Sequence, residues 1–333
     1  MIDHYFNSPV LETFFLGIVA DFVTAPSEFP ALGVPSIHLE TAFDKRIPTY
    51  LGTRSAQTAY TYILGGCQSL VNAVMGVITA NGGRVLTGTP VGRILIDKGR
   101  TTGVELQDGR IETADVVLAS GGMQEVFFDL VGRENIPAEL STQIESCRLV
   151  ESVLMAQLGI DFDPTPYQPA ALCCYYKTQD LEGAVRRLRT GDYHKGREGF
   201  LIYVPSLHSP SLAPPGKYAV TIYTVAPDRL AEGSWTSRRE ELADKLIAEA
   251  EAHIPGLHDH TLTSLVLTPD DFRKRTHQAH HSFGGVPPVI GNKPPVEGLW
   301  FIDAQSESAG GVLNVMTGAQ KVAKRIIKGE LPL

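Results

Sequence analysis

Two segments constrain this chain more than any others. ADVVLASGG at 114–122 and LWFIDAQSESAGG at 299–311 each run an apolar stretch into a pair of glycines. Short runs such as Ala114–Ala119 and Leu299–Ile302 read as buried strands, the habit of a sheet covered by helices on its faces. A strand that ends in glycines and feeds a helix leaves backbone N–H groups at the positive end of the helix dipole. Such a junction suits a phosphate, or negative charge building on a reduced ring system. Ordinary strand-to-helix turns look the same, so the pattern alone fixes an α/β element and leaves a ligand site open.

Composition narrows the class. A chain of 333 residues makes one large or two moderate domains. Its hydrophobic share of 43% and charged share of 20% are those of an ordinary globular protein. Lys and Arg number 29 against 37 Asp and Glu, a formal charge of −8, which argues against non-specific binding to nucleic acid, since phosphate neutralisation needs a basic face. No apolar run reaches the ~20 residues of a membrane-spanning helix. Glu12 and Asp21 interrupt the only stretch that could resemble a secretory signal. Cys67, Cys147, Cys173 and Cys174 lack ligand-pair spacing, which argues against a zinc site or a disulfide framework and makes a reducing cytoplasm the default expectation.

The order of elements follows from periodicity. Val10–Val23 predicts a very apolar helix with a narrow polar stripe at Thr13, Gly17 and Asp21. It belongs to a core or a protein interface. A membrane-surface anchor is the weaker reading, because the polar face carries no basic residue. Residues 24–55 are punctuated by prolines and read as irregular. A helix follows Gly65-Gly66, and four short strands are expected at Arg84–Thr87, Gly92–Asp97, Gly103–Leu106 and Ala114–Ala119, with hairpin turns at Lys98-Gly99 and Asp108-Gly109. Longer β runs at Ser152–Ile160, Phe200–Pro205 and Tyr218–Val225 predict an antiparallel sheet. A helix starting at Ser237, boxed by Glu240, comes next. The last helix buries Val315, Ala319, Val322 and Ile326.

Four stretches carry a resemblance: GGCQSLVNAVMGVITANGGRVLTGTPVGRILIDKGRTTGVELQDGRIETADVVLASG (65–121), PSLHSPSLAPPGKYAVTIYTVAP (205–227), IPGLHDHTLTSLVLTPDDF (254–272) and EGLWFIDAQSESAGGVLNVMTGAQKVA (297–323). In their order and wording the chain resembles the phytoene-desaturase-like family of FAD-dependent oxidoreductases, which includes carotenoid desaturases, carotene isomerases and retinol-saturase-like enzymes. The resemblance implies an α/β fold with α+β character: a partial FAD/NAD(P)-binding-like domain joined to a substrate domain containing an antiparallel sheet. It divides the chain into a helical part or partner interface (1–64), the second half of an FAD-binding domain (65–150 and 285–333) and the substrate domain (151–284). It places Gly310, Gly311 and Val312 against the flavin pyrimidine edge, and the backbone of Pro90 and Val91 at the adenosine end. Ser120 and Gly121 close the first junction in the same site.

The sequence also departs from that family. Its G-x-G-x-x-G turn, which holds the FAD pyrophosphate on a helix N-terminus, occurs nowhere in these 333 residues. Asp303 stands where relatives usually carry Gly, and Glu307-Ser308 where they carry His-Pro. Three explanations are open: a second polypeptide supplies the missing Rossmann half around a shared FAD; the chain is a non-catalytic binding or regulatory subunit that has lost flavin; or the sequence is a piece of a longer enzyme. The first is the working expectation, with a small hydrophobic or cyclic substrate.

Single residues add candidates. Asp303, at a strand's C-terminal end, suits either a bond to a flavin ribityl hydroxyl or the role of a helix-capping or purely structural carboxylate. Glu307 is a proton donor or acceptor if burial raises its pKa. His277, His280 and His281 lack the H-E-x-x-H arrangement and follow Arg273-Lys274-Arg275, so no metal is expected. His280 or His281 fits better as an acid or base in a cavity loop, and Glu307 and His281 are the catalytic candidates.

Overall fold

The computed structural model describes residues 2–20, 24–29, 31, 62–193, 199–283, 291–307 and 310–330. Most of the expected irregular stretch, the end of the first helix, and Gly284-Gly285 lie outside them. Helices α1 (Ile2–Tyr5), α2 (Pro9–Ala20) and α3 (Cys67–Ala80) lead into strands β1 (Val91–Asp97), β2 (Arg100–Leu106), β3 (Ile111–Thr113) and β4 (Val117–Ala119). A π-helical segment (Glu125–Leu130) and α4 (Ala138–Ser146) come next, then β5 (Ser152–Ile160), β6 (Leu172–Tyr175), α5 (Leu181–Leu188), β7 (Phe200–Tyr203) and β8 (Tyr218–Ala226). The chain continues through α6 (Trp235–Glu251), β9 (Thr261–Leu267), α7 (Pro269–Thr276), β10 (Leu299–Phe301) and α8 (Val312–Ile327). Two compact units result, Met1–Val85 with Glu151–Pro269 and Leu86–Val150 with Asp270–Leu333.

The first unit is built on an antiparallel sheet of order β6-β7-β8-β5-β9. Alternation decides its faces. Leu154, Ala156, Leu158 and Ile160 of β5, Phe200 and Ile202 of β7, and Val220 and Ile222 of β8 are buried in one cluster with Leu242, Ala243, Leu246, Ile247 and Ala250 of α6. The predicted start of α6 is corrected by one turn. Its N-cap is Ser234, whose hydroxyl accepts the Ser237 N–H while the Ser237 hydroxyl accepts the Ser234 N–H, both at 3.1 Å. Burial of the Trp235 ring, with its Nε1 donating to the Pro227 carbonyl at 3.1 Å, draws the helix start back to that point. The reading of α2 is also corrected. Gly17 packs so closely on Tyr176 that a side chain there has no room, so part of the small stripe faces inward, while Val10 and Phe14 are exposed.

The second unit contains the meander β1-β2-β3 and the parallel pair β4–β10. Lys98 and Gly99 form the β1–β2 turn with positive φ at both residues (49° and 81°), the type I′ signature. Arg84–Thr87 is not a strand. No described segment pairs with it, Leu86 is exposed, and an unpaired extended run has no ladder to hold it. In the parallel pair, Val117, Leu118 and Ala119 lie opposite Leu299, Trp300 and Phe301. One face packs on Ile94, Met123, Val126 and Phe127, and Trp300 and Ile302 pack on Val322 of α8.

Each unit holds one of the chain's two tryptophans. With Trp300→Phe leaving Trp235 as sole reporter, Leu154→Ala in the buried centre of β5 is expected to lower stability by about 2–5 kcal/mol. Leu172→Ala, at a position 51% exposed, is expected to cost less than about 1 kcal/mol. Urea unfolding followed by Trp235 fluorescence checks the contrast, and equal costs would show that the sheet is not packed as described.

Candidate functional site

Parallel pairing sets the C-terminal ends of β4 and β10 side by side, so the turns that follow them meet. Asp303 is the joint. Its Oδ2 accepts the Gly121 N–H at 3.1 Å and the Ser120 hydroxyl at 3.3 Å, and its Oδ1 accepts the Gln305 N–H at 3.0 Å. Gln305 is buried, its Oε1 accepting the Met123 N–H at 3.2 Å and its Nε2 donating to Gln278 at 3.4 Å. The buried Ser306 hydroxyl donates to the Asp303 carbonyl at 2.7 Å, and the Asn292 amide donates both to Ser306 (3.1 Å) and to the Phe301 carbonyl (2.8 Å). The result is a turn tied to both strand ends through Asp303, Ser306 and Asn292. Burial pushes the Asp303 carboxyl above the usual carboxylate range, outweighing the N–H and hydroxyl donors that favour its charged form.

Two glycines give the site its openness. Gly121 has φ 127°, and among the described residues nothing lies within 4 Å of where a Cβ would stand. Gly311 is the N-cap of α8 with φ 98°, and no side chain among the described residues caps it. The first-turn N–H groups of α8 are therefore uncapped from within the helix, next to Val312 and Leu313, which are 59% and 71% exposed. Asn314 donates to the Gly310 carbonyl at 2.9 Å and fixes that peptide.

The remaining candidates are placed as follows. Pro90 borders a groove of about 290 Å³ that is lined also by Gly88, Thr89, Leu106, Gln107 and Asp108 and does not include Val91, and the Pro90 carbonyl accepts the Gln107 N–H at 3.0 Å. Hydrogen bonds from the Arg110 backbone and guanidinium hold the Asp108 carboxyl below its ordinary value. Glu307 is exposed, so the burial on which its role as a proton donor or acceptor depends is not met. His281 is buried, its Nδ1 accepting the Phe283 N–H at 3.2 Å. His280 lies 3.1 Å from Asp129 and donates its N–H to Glu125 at 2.8 Å, tying its loop to the π-helical segment. Among the described residues, no cluster of His, Cys, Asp or Glu could hold a metal ion. Sequence reasoning missed Gln305, Ser306 and Asn292. The available signal was two polar residues at 305 and 306, separated by two residues from the apolar run 299–302, where burial demands partners.

No family model matches the chain. Phytoene desaturase (lycopene-forming) of Paracoccus sp. is 28% identical over 243 residues, covering 71% of this chain and 46% of that protein. Pyridine nucleotide-disulfide oxidoreductase domain-containing protein 2 of Mus musculus is 25% identical, covering 77% and 49%. Two further relatives of the same kind, the phytoene desaturase of Pseudescherichia vulneris and the zeta-carotene desaturase of Myxococcus xanthus, are 22% and 25% identical, so the chain is similar to carotenoid desaturases. It spans about half the length of the relatives it matches. A putrescine oxidase variant redesigned in its cofactor binding shares the fold, with TM-score 0.52 and 11% identity over 80% of this chain and 54% of that one.

For this phytoene-desaturase-like chain, the residues present fit a flavin in part. The open Gly121 backbone and the uncapped α8 N-terminus offer close approach and N–H donors. The donors at the end of β4 are taken by Asp303.

A pH test follows from the raised Asp303 pKa. The folded state holds this proton to higher pH than the unfolded chain does. Stability therefore falls as pH rises from the ordinary carboxylate value through the raised folded one, and the loss persists above it. In a Trp235→Phe background, urea unfolding followed by Trp300 fluorescence should show this decline, and Asp303→Asn should flatten it. Identical slopes in the two proteins would contradict the assignment.

Proposed function

We propose that the chain forms the second half of an FAD-dependent oxidoreductase site, of desaturase or dehydrogenase type, acting on a hydrophobic or cyclic substrate. A dinucleotide-binding unit bearing the G-x-G-x-x-G turn, carried by a partner polypeptide, completes the site. The observation that carries this reading is the pair of glycine turns after β4 and β10, one with an open backbone and the other an uncapped helix start, in a relative of phytoene desaturases.

When bound, FAD supplies the two-electron chemistry, exchanging hydride with a C–C or C–X bond of the substrate. The chain's own groups do the rest. Gly310, Gly311 and Val312 bring the positive end of α8 to where negative charge develops. Ser120, Gly121 and Asp303 fix the turn beside it, and the backbone at Pro90 borders the groove that suits an adenosine. Exposed Val312 and Leu313 supply apolar surface against a ring system. The buried His281 stays as the candidate for moving a proton. A second reading, a binding subunit without flavin, is favoured by one observation: the carboxylate of Asp303 on the donors at the strand end.

Co-expression with a polypeptide bearing the G-x-G-x-x-G unit, followed by an absorbance scan of the co-purified complex, tests the proposal. Flavin absorption is expected. Gly311→Val should retain the complex and weaken flavin retention by about tenfold, because a side chain at positive φ costs roughly 1–2 kcal/mol. A stable complex without flavin transfers the chain to the second reading.

A further inference from the structure

We propose that Asp303 serves as an internal anion which bars phosphate from the crevice at the ends of β4 and β10 and makes that crevice selective for an uncharged, hydroxyl-bearing part of its ligand. This rests on the reading of the crevice as the cofactor site and adds to it a rule for which portion of the cofactor is admitted there.

Donor supply decides what the crevice can hold. A backbone N–H at the end of a parallel strand, in an open left-handed turn, is ordinarily free to meet an anion. Here the Gly121 N–H and the Ser120 hydroxyl both reach Asp303 Oδ2, and the Gln305 N–H reaches Oδ1. A phosphate approaching Gly121 would have to displace a carboxylate held by three donors, or rest against its charge where partial burial weakens screening. A hydroxyl meets the opposite situation, since it donates and the carboxylate accepts. Ser120 is the exchangeable donor, exposed and at the longest of the three distances, 3.3 Å. A ligand hydroxyl can take its place on Oδ2 without leaving the charge unpaired. No second acidic side chain joins Asp303 in a cation site among the described residues.

The experiment follows the Gly121 and Gln305 amide resonances of the full chain while inorganic phosphate, or riboflavin as an uncharged polyol-bearing probe, is added. In the native chain riboflavin is expected to shift Gly121 and phosphate to leave it unmoved. In Asp303→Asn, phosphate should shift Gly121 at concentrations at least about tenfold lower than any that act on the native chain. Asp303→Ser serves as a second variant should the amide disturb the turn, and Ser120→Ala should keep the exclusion of phosphate because Asp303 remains. Equal phosphate response in native and variant chains overturns the proposal. So does an absence of riboflavin response at Gly121 in the native chain. Whether the co-purified complex holds FAD is decided separately by its absorbance, so failure of the flavin reading and failure of this rule give different results.

Discussion

The second unit depends on a parallel ladder of only three residue pairs. Hydrogen bonds of that number contribute about 1 kcal/mol each at best, too little to hold two segments some 180 positions apart in sequence. The side chains supply the difference. Phe127 and Phe301 meet edge to face at 5.2 Å on one side, and on the other Trp300 is buried against α8 with the Arg325 guanidinium 4.7 Å from its ring centre. Each such buried aromatic contributes roughly 1.5–3 kcal/mol or more, so packing fixes the strands and the ladder only fixes their register.

Register then decides chemistry. Because the strands end level with each other, the residues after Ala119 and after Ile302 converge, and their backbone donors need acceptors wherever water is shut out. Asp303, Gln305, Ser306 and Asn292 supply a connected set. A network of this kind is stable when complete and costly when broken, since each orphaned member would keep its full desolvation penalty. The same connectivity explains why Asp303 holds a charge-accepting position at all. Burial pushes the carboxyl toward its neutral form, and its donors pull the other way.

Much of this was legible in the residues. Apolar runs ending in paired glycines located β4 and β10, and the Lys98-Gly99 turn gave the first hairpin. Ser152–Ile160 was bounded correctly because nine residues there lie in a fully paired central strand. Elements governed by competition were harder. Ser234 and Ser237 both suit a helix cap, and only the burial of Trp235 decides between them. The α5 helix carries Asp180 as cap and Leu181, Ala184, Val185 and Leu188 at helical spacing, but it sits inside a stretch whose other signals are all β. Edge strand β9 shows little alternation because residues 262–265 are all exposed. In the site, the identity of Asp303 was readable while its direction was not. Which donors a side chain meets depends on a segment far away in sequence.

The two departures from the family pattern near the last strand have unequal weight. Glu307 is exposed and can differ at little cost, so its presence alone says little about chemistry. Asp303 is partly buried and bonded to both turns, so it cannot have replaced a smaller residue without the turns adapting to it. A carboxylate in such a place carries a desolvation cost that a glycine would not. Its donors offset that cost only when those donors are no longer offered to a ligand. Asp303 therefore places an acceptor at the strand-end crevice of this chain, and fold similarity alone cannot carry over which atoms of a ligand rest there.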